Sequence, residues 1–344
     1  MKKGEKIVVS VIIPVKEIGY YLLHENLPSF LEQTYKKFEV LVLPNDHTQY
    51  DISLLKKYAW LRIIPTGKIT RPAAKRDIGV RNARGTIIAF LDDDAYASPL
   101  WLEQAMNAFK KNKVAAVCGP GIIPADNRIN VWEHIFDEIL VSWIGSGSYT
   151  YRFTPEKERL VDDYPSMNFI IKKATFRKAG GFNMEFWPGE DSKLCETIVY
   201  KLKEKILYNP SVLIYHHRRN DLKDFLVQHG NYGFHRGAFF AHGDKNSKRI
   251  IYIIPTLFTI YIFFLILIFF SFFFFHTPFS YAFLLPLSIY AICAAYIVFR
   301  SMIYRHNMLL SFITPFILFL NHVYYGIRFI EGYSRGIVKK KSIY

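Results

Sequence analysis

Cysteine is scarce in this chain of 344 residues. Cys118, Cys195 and Cys293 are widely spaced and form no C-x-x-C pair. That excludes a disulfide framework and a cysteine-based zinc site, and it fits a reducing compartment. Acidic residues are outnumbered, 29 against 44 Lys and Arg, for a formal net charge of +15. Charge of either sign vanishes from Ile250 to Phe299, where there is no Lys, Arg, Asp or Glu. A bilayer is crossed by ~20 apolar residues, so 251–275 and 281–299 are predicted to be membrane helices joined by a turn at 276–280. Phenylalanine all around the first of them leaves no polar face for a soluble hairpin.

The basic residues show how these helices are oriented. Lys245, Lys248 and Arg249 precede the first, Arg300 and Arg305 follow the second, and the turn between is uncharged. Both flanks are therefore expected on the cytoplasmic side. Residues 308–330 are apolar but carry Pro315, Asn321, His322 and Arg328. They suit a transmembrane or an interfacial segment with Tyr324, Tyr325 and Phe329 as anchors. Lys339, Lys340 and Lys341 favour the interfacial or re-entrant choice, because they too belong on the cytoplasmic side. Basic pairs at Lys36-Lys37, Lys110-Lys111 and Arg218-Arg219 fit a lipid bilayer surface and diphosphate ligands. No nucleic-acid motif is present, so nucleic acid is not an expected partner. Lys2, Lys3 and Lys6 before 7–15 imitate a signal peptide, but the apolar run is short, alternates like a strand and lacks a small-residue cleavage site.

Before residue 245 strands and helices alternate. Strands are predicted at 8–15, 39–43, 61–64, 86–91 and 212–215, and helices at 21–34, 52–58, 73–83 and 99–112, the last with proline at an early position. The implied fold class is α/β, a doubly wound and mostly parallel sheet. The implied division is a cytoplasmic domain over 1–245 followed by a membrane region over 246–344 with two or three helices. Polar residues recur after the strands: Glu17, then Asn45 and Asp46, then Asp92, Asp93 and Asp94. In a parallel sheet such strand ends share one edge, where ligands bind. Three adjacent carboxylates stay ionised together only beside water or a cation. The spacing Asp92-x-Asp94 suits Mg²⁺ or Mn²⁺ holding a diphosphate, and an acidic turn capping a helix at Ser98-Pro99 is the other reading.

In that order the chain resembles the family 2 glycosyltransferases of GT-A fold, especially membrane-anchored members that build surface polysaccharides and lipid-linked glycans. The likeness runs from about Val8 to Arg236. It rests on Val11-Ile12-Ile13-Pro14, Lys75-Arg76-Asp77-x-Gly79, Phe90-Leu91-Asp92-Asp93-Asp94, Gly180-Gly181-Phe182 leading to Gly189-Glu190-Asp191, and His216-His217-Arg218-Arg219. The resemblance implies donor contacts from Pro14, Glu17, Asp46, Lys75, Arg76, Asp92 and Asp93, with Asp77 receiving the base. It implies a divalent metal, Mn²⁺ or Mg²⁺, on Asp92 and Asp94, with His216 or alternatively His217 as third ligand. Asp191 would be the catalytic base and Glu190 its alternative, more suited to orienting the acceptor. Gln228 and Arg236 resemble part of the Q-x-x-R-W element of processive synthases and would close over the donor diphosphate, but the tryptophan and the spacing are missing, and a membrane-interface helix is the other reading. The expected activity is an inverting transfer of one sugar from a nucleotide-sugar donor, UDP-linked, to a polyprenyl-linked or glycan acceptor at the cytoplasmic membrane face. The rivals are a polyprenyl-phosphate glycosyl synthase, a nucleotidyltransferase and a non-catalytic membrane subunit of the same fold.

Overall fold

The computed structural model describes residues 7–45, 58–182, 189–305 and 308–341. The chain divides into two compact units, one formed by 1–124 with 151–217 and the other by 125–150 with 218–344. The second unit thus begins its main stretch at 218, upstream of the 246 read from sequence, and includes 125–150.

The first unit is built on a mixed, mostly parallel sheet of 8 strands in the order β3-β2-β1-β4-β9-β6-β10-β8. β1 (Val9–Pro14), β2 (Phe38–Leu43), β3 (Leu61–Ile63) and β4 (Ile87–Leu91) run parallel, with Ile12 level with both Leu41 and Phe90. Every residue of β1, β2 and β4 is buried, as near-continuous apolar strands must be when both sheet faces are covered. α1 (Pro72–Asn82) and α2 (Trp101–Lys111) supply part of that cover. β5 (Ala95–Ala97) follows the Asp triplet. The chain then forms β6 (Ala116–Cys118) and β7 (Gly121–Ile122), leaves for α3 (Val131–Leu140), and returns through β8 (Arg159–Val161) and β9 (Asn168–Lys172). α4 (Glu190–Glu196), β10 (Ile206–Tyr208) and β11 (Ile214–His216) complete it. β9 lies antiparallel between β4 and β6. A small second sheet, β5-β11-β7, pairs His216 with Ala95.

One feature departs from the sequence expectations. The helix predicted over 21–34 is a π-helical turn, Leu22–Asn26, running into Leu27–Ser29, and the Asn26 side chain bonds outside its own helix. The helix predicted over 52–58 lies, but for Tyr58, outside the described residues.

Lys75, which the resemblance places on the donor crevice, is instead 1% exposed. Its Nζ donates to Val15 O at 2.5 Å, Leu43 O at 3.2 Å and Asn45 Oδ1 at 2.6 Å. It thus staples the ends of β1 and β2 together, and burial, opposed by Asp93, pushes its ammonium pKa down. Lys75→Met should leave these buried acceptors unpaired and cost about 2–4 kcal/mol, read as a lower denaturation midpoint with an unchanged m-value.

The second unit gathers α3, α5 (Leu222–His242), α6 (Ile250–Phe275), α7 (Leu285–Arg305) and α8 (Met308–Lys341). Glycines let α5 and α8 touch: a Cβ on Gly332 would meet Phe234 O at 1.8 Å, and one on Gly237 would meet Phe329 O at 2.1 Å. This close packing is why α5 belongs with the long apolar helices of the second unit. Ile135, Phe136 and Ile139 of α3 pack with Phe225, Ile297, Ile317 and Leu318. Arg218 pairs with Asp137 at 2.8 Å and Arg300 with Glu138 at 3.8 Å, placing a guanidinium against each of two buried acids. Three segments, Ile250–Phe275, Tyr281–Ile303 and Ser311–Ile337, are long and apolar enough to cross a membrane. The third belongs to one unbroken helix of 34 residues reaching Lys341, longer than the 308–330 segment read from sequence.

Candidate active site

The Asp triplet is held from two sides. Asn26, fully buried, donates from Nδ2 to Asp92 O at 3.1 Å and to Ala95 O at 2.5 Å, spanning the turn. From β11 the His217 N–H donates to Asp94 O at 3.1 Å. Pairing His216 with Ala95 then brings His216 Nε2 to 3.1 Å from Asp94 Oδ1.

Strand alternation sends His217 the other way. Its Nε2 lies 3.1 Å from Glu25 Oε2 and its ring 4.2 Å from that of Tyr21, with 4% exposure. The alternative that made His217 the third ligand is therefore corrected: it braces the strand from behind. Asp92, Asp94 and His216 each offer a ligand atom, all within 4.8 Å of one another. His216 Nδ1 is buried without a partner among the described residues. Two carboxylates and one imidazole fit a divalent cation, and the nitrogen favours Mn²⁺ over Mg²⁺.

The second part of the site begins at Gly189, whose φ of +131° favours glycine. It starts α4, and Glu190 and Asp191 occupy the first turn, where the helix dipole favours acids. Asp191 Oδ2 accepts from Ser166 N at 3.1 Å, while its Oδ1 is buried with no partner among the described residues. Glu190 Oε2 accepts from Gly189 N at 2.9 Å.

Arg76 joins the two parts. It donates to Asp92 Oδ1 at 2.7 Å and its second amino nitrogen lies 3.8 Å from Glu190 Oε1, with the guanidinium 5.8 Å over the Phe182 ring. Burial and then the Asp191 charge push the Glu190 carboxyl up to about 7, with Arg76 pulling back. Burial also raises Asp191, against Arg76 and the Ser166 N–H. The pair is thus poised to hold a proton near neutrality.

Most of the other expected contributors have contacts of their own. Asp77 accepts from Phe182 N at 3.2 Å and secures the Gly180-Gly181-Phe182 turn. Pro14 ends β1 buried, and Glu17 is exposed, 3.7 Å from Lys16 Nζ. Asp46 lies outside the described residues. Gln228 and Arg236 belong to the second unit, where Arg236 donates to Ser247 Oγ at 2.9 Å.

Several supports carry no motif that sequence reasoning could find. Asn168 donates to Gly119 O at 2.7 Å and Val212 O at 2.8 Å and accepts from Trp101 Nε1, tying β9 to the loop before β11. Asp163 accepts from Ser192 Oγ at 2.7 Å and pairs with Arg152 at 3.0 Å, steadying α4 beside Asp191. Asn26, Asn168 and Asp163 sit in ordinary polar positions, and only the folded contacts distinguish them.

This sheet, with its acidic edge, is the GT-A fold, and the chain belongs to glycosyl transferase family 2, whose profile matches residues 10–179. It is 26% identical over 183 residues to the pre-mycofactocin glycosyltransferase of Mycobacterium tuberculosis, covering 52% of this chain and 37% of that one. It is 22% identical over 223 residues to the glucosyl-dolichyl phosphate glucuronosyltransferase of Haloferax volcanii, covering 60% and 68%. The match to the mycobacterial protein therefore spans little more than a third of that relative's length. A mannosyltransferase of Pyrobaculum calidifontis, solved with GDP-Man and Mn²⁺, superposes with a TM-score of 0.53 at 15% identity, covering 98% of this chain and 92% of that one. At that identity the likeness concerns the fold.

Proposed function

We propose that this chain is an inverting, metal-dependent glycosyltransferase. It moves one sugar from a nucleotide-sugar, UDP-linked by the motif resemblance, to a lipid-linked or polysaccharide acceptor at the cytoplasmic membrane face. One observation carries the reading: Asp191 presents a buried carboxylate oxygen with no partner among the described residues, while Arg76 links its neighbour Glu190 to Asp92 of the D-x-D pair.

Asp191 Oδ1 takes the proton of the acceptor hydroxyl as that oxygen bonds to the anomeric carbon. The bond from this carbon to the diphosphate oxygen breaks, and its electron pair leaves with the nucleoside diphosphate. Asp92, Asp94 and His216 would hold the cation, which when bound supplies Lewis-acid neutralisation of the diphosphate charge. Arg76 keeps Asp92 and Glu190 in place. The apolar helices and the Haloferax relative, named for glucosyl-dolichyl phosphate, support a lipid-linked acceptor. The Mn²⁺ in the Pyrobaculum structure supports metal dependence.

Two outcomes test the mechanism. Nuclear magnetic resonance of the product should show the anomeric configuration opposite to the donor's, whereas the same configuration would rule out inversion. Turnover should also depend on pH. With Glu190 raised to about 7, the Glu190–Asp191 pair still carries a proton below neutrality, and a pair already protonated is the poorer base. At saturating donor and metal, kcat should rise with pH through about 7 and level off above. A flat profile down to pH ~5, near the ordinary carboxylate range, would take the pair out of proton transfer.

A further inference from the structure

A second polar cluster lies wholly within the unit that carries the apolar helices. Arg249, the residue preceding α6, donates to Tyr149 Oη at 3.1 Å. The Tyr149 ring stacks on Tyr252 with centroids 5.4 Å apart. Arg236 lies 4.3 Å over the Tyr252 ring and donates to Ser247 Oγ at 2.9 Å. Tyr325, from α8, is within electrostatic reach of both Arg236 and Tyr149. Its Oη is buried and has no hydrogen-bond partner among the described residues. The turn between α5 and α6 contributes one carboxylate, Asp244, against the two guanidiniums.

A buried phenol with nothing to bond is costly unless a ligand completes it. Two arginines, a phenol without a partner among the described residues and the positive end of a 26-residue helix ask for a compact anion. Their position selects which anion. The cluster sits where an uncharged, mostly apolar helix begins, as a headgroup-level site would, and Ile254, Leu257, Ile260 and Phe263 leave an exposed apolar stripe running away from it.

We infer that Arg236, Arg249, Tyr149 and Tyr325 bind the phosphate of a lipid whose chain lies along α6. This rests on the proposed function, because the phosphate is assigned to the lipid-linked acceptor. It also moves Arg236 from the donor diphosphate, where the motif alone would put it, to the acceptor.

The test uses the full chain in phosphatidylcholine nanodiscs, with a radiolabelled long-chain polyprenyl phosphate as probe. Binding should be lost with the dephosphorylated polyprenol and should resist millimolar inorganic phosphate, showing that phosphate and tail are both required. Arg249→Gln and Tyr325→Phe should each weaken binding roughly ten-fold. Tyr325→Phe should do so with an unchanged or higher melting midpoint, because the hydroxyl it removes has no protein partner among the described residues. Undiminished binding in both variants, equal competition by inorganic phosphate, or equal binding of phosphatidylglycerol would overturn the assignment. Metal-dependent nucleoside diphosphate release, assayed on the same wild-type preparation, separates the two claims. Its absence counts against glycosyl transfer alone, whereas its presence beside lipid binding indifferent to Arg249→Gln counts against this site alone.

Discussion

Asp191→Asn is expected to lower kcat by about 10³-fold or more, at the strong end of general-base effects, with the donor KM little changed. The amide is isosteric and its oxygen can still accept from Ser166 N, so the start of α4 keeps its geometry. What disappears is the atom proposed to take the acceptor's proton. The same substitution should raise thermal stability, because it removes a buried charge whose repulsion helps lift Glu190 to about 7. A protein that melts higher and turns over far more slowly is the signature of a strained catalytic acid pair. An acceptor that is itself an ionised phosphate needs no base. A fully active Asp191→Asn variant would therefore favour a polyprenyl-phosphate glycosyl synthase over transfer to a hydroxyl.

Asp94→Asn is expected to abolish metal-dependent turnover, again by about 10³-fold or more, since electrostatic stabilisation of the charge that develops on a leaving group dominates the rate of such a reaction. A readout independent of catalysis is the melting midpoint with and without Mn²⁺. Binding at ~100 times Kd stabilises the wild type by about 2.7 kcal/mol, and the variant should lose that increment. Without metal it should melt no lower than wild type, because one of three adjacent carboxylates has been neutralised. His216→Ala should weaken Mn²⁺ binding as well, whereas His217→Ala should act on stability through its Glu25 contact.

Much of the first unit was legible from local pattern. β1, β2 and β4 read as continuous apolar strands because both faces of the sheet are covered, and Asp92 to Asp94 fall just past a strand end, where acids cannot be core. The choice between His216 and His217 was not legible. It depends on the register of β11 against β5, which no local spacing encodes. Lys75 and Arg76 are neighbours of like charge, yet one staples strand ends and the other bridges acids, because successive helical positions point about 100° apart. The extent of the second unit was hidden for a related reason. The use of the α5 glycines, close packing against α8, shows only in the fold. The stretch 125–150 has the composition of any amphipathic helix, and only its partners, Phe225, Ile297 and Ile317, show which unit it joins.

The most direct measurement is nucleoside diphosphate release by the detergent-solubilised protein, offered a panel of nucleotide sugars with Mn²⁺ and a polyprenyl-diphosphate-linked sugar, beside the Asp94→Asn variant. Release that requires both metal and one particular donor, and that vanishes in the variant, is the expected result. Pyrophosphate release in its place, or release indifferent to metal and to Asp94, would contradict metal-dependent glycosyl transfer at this site.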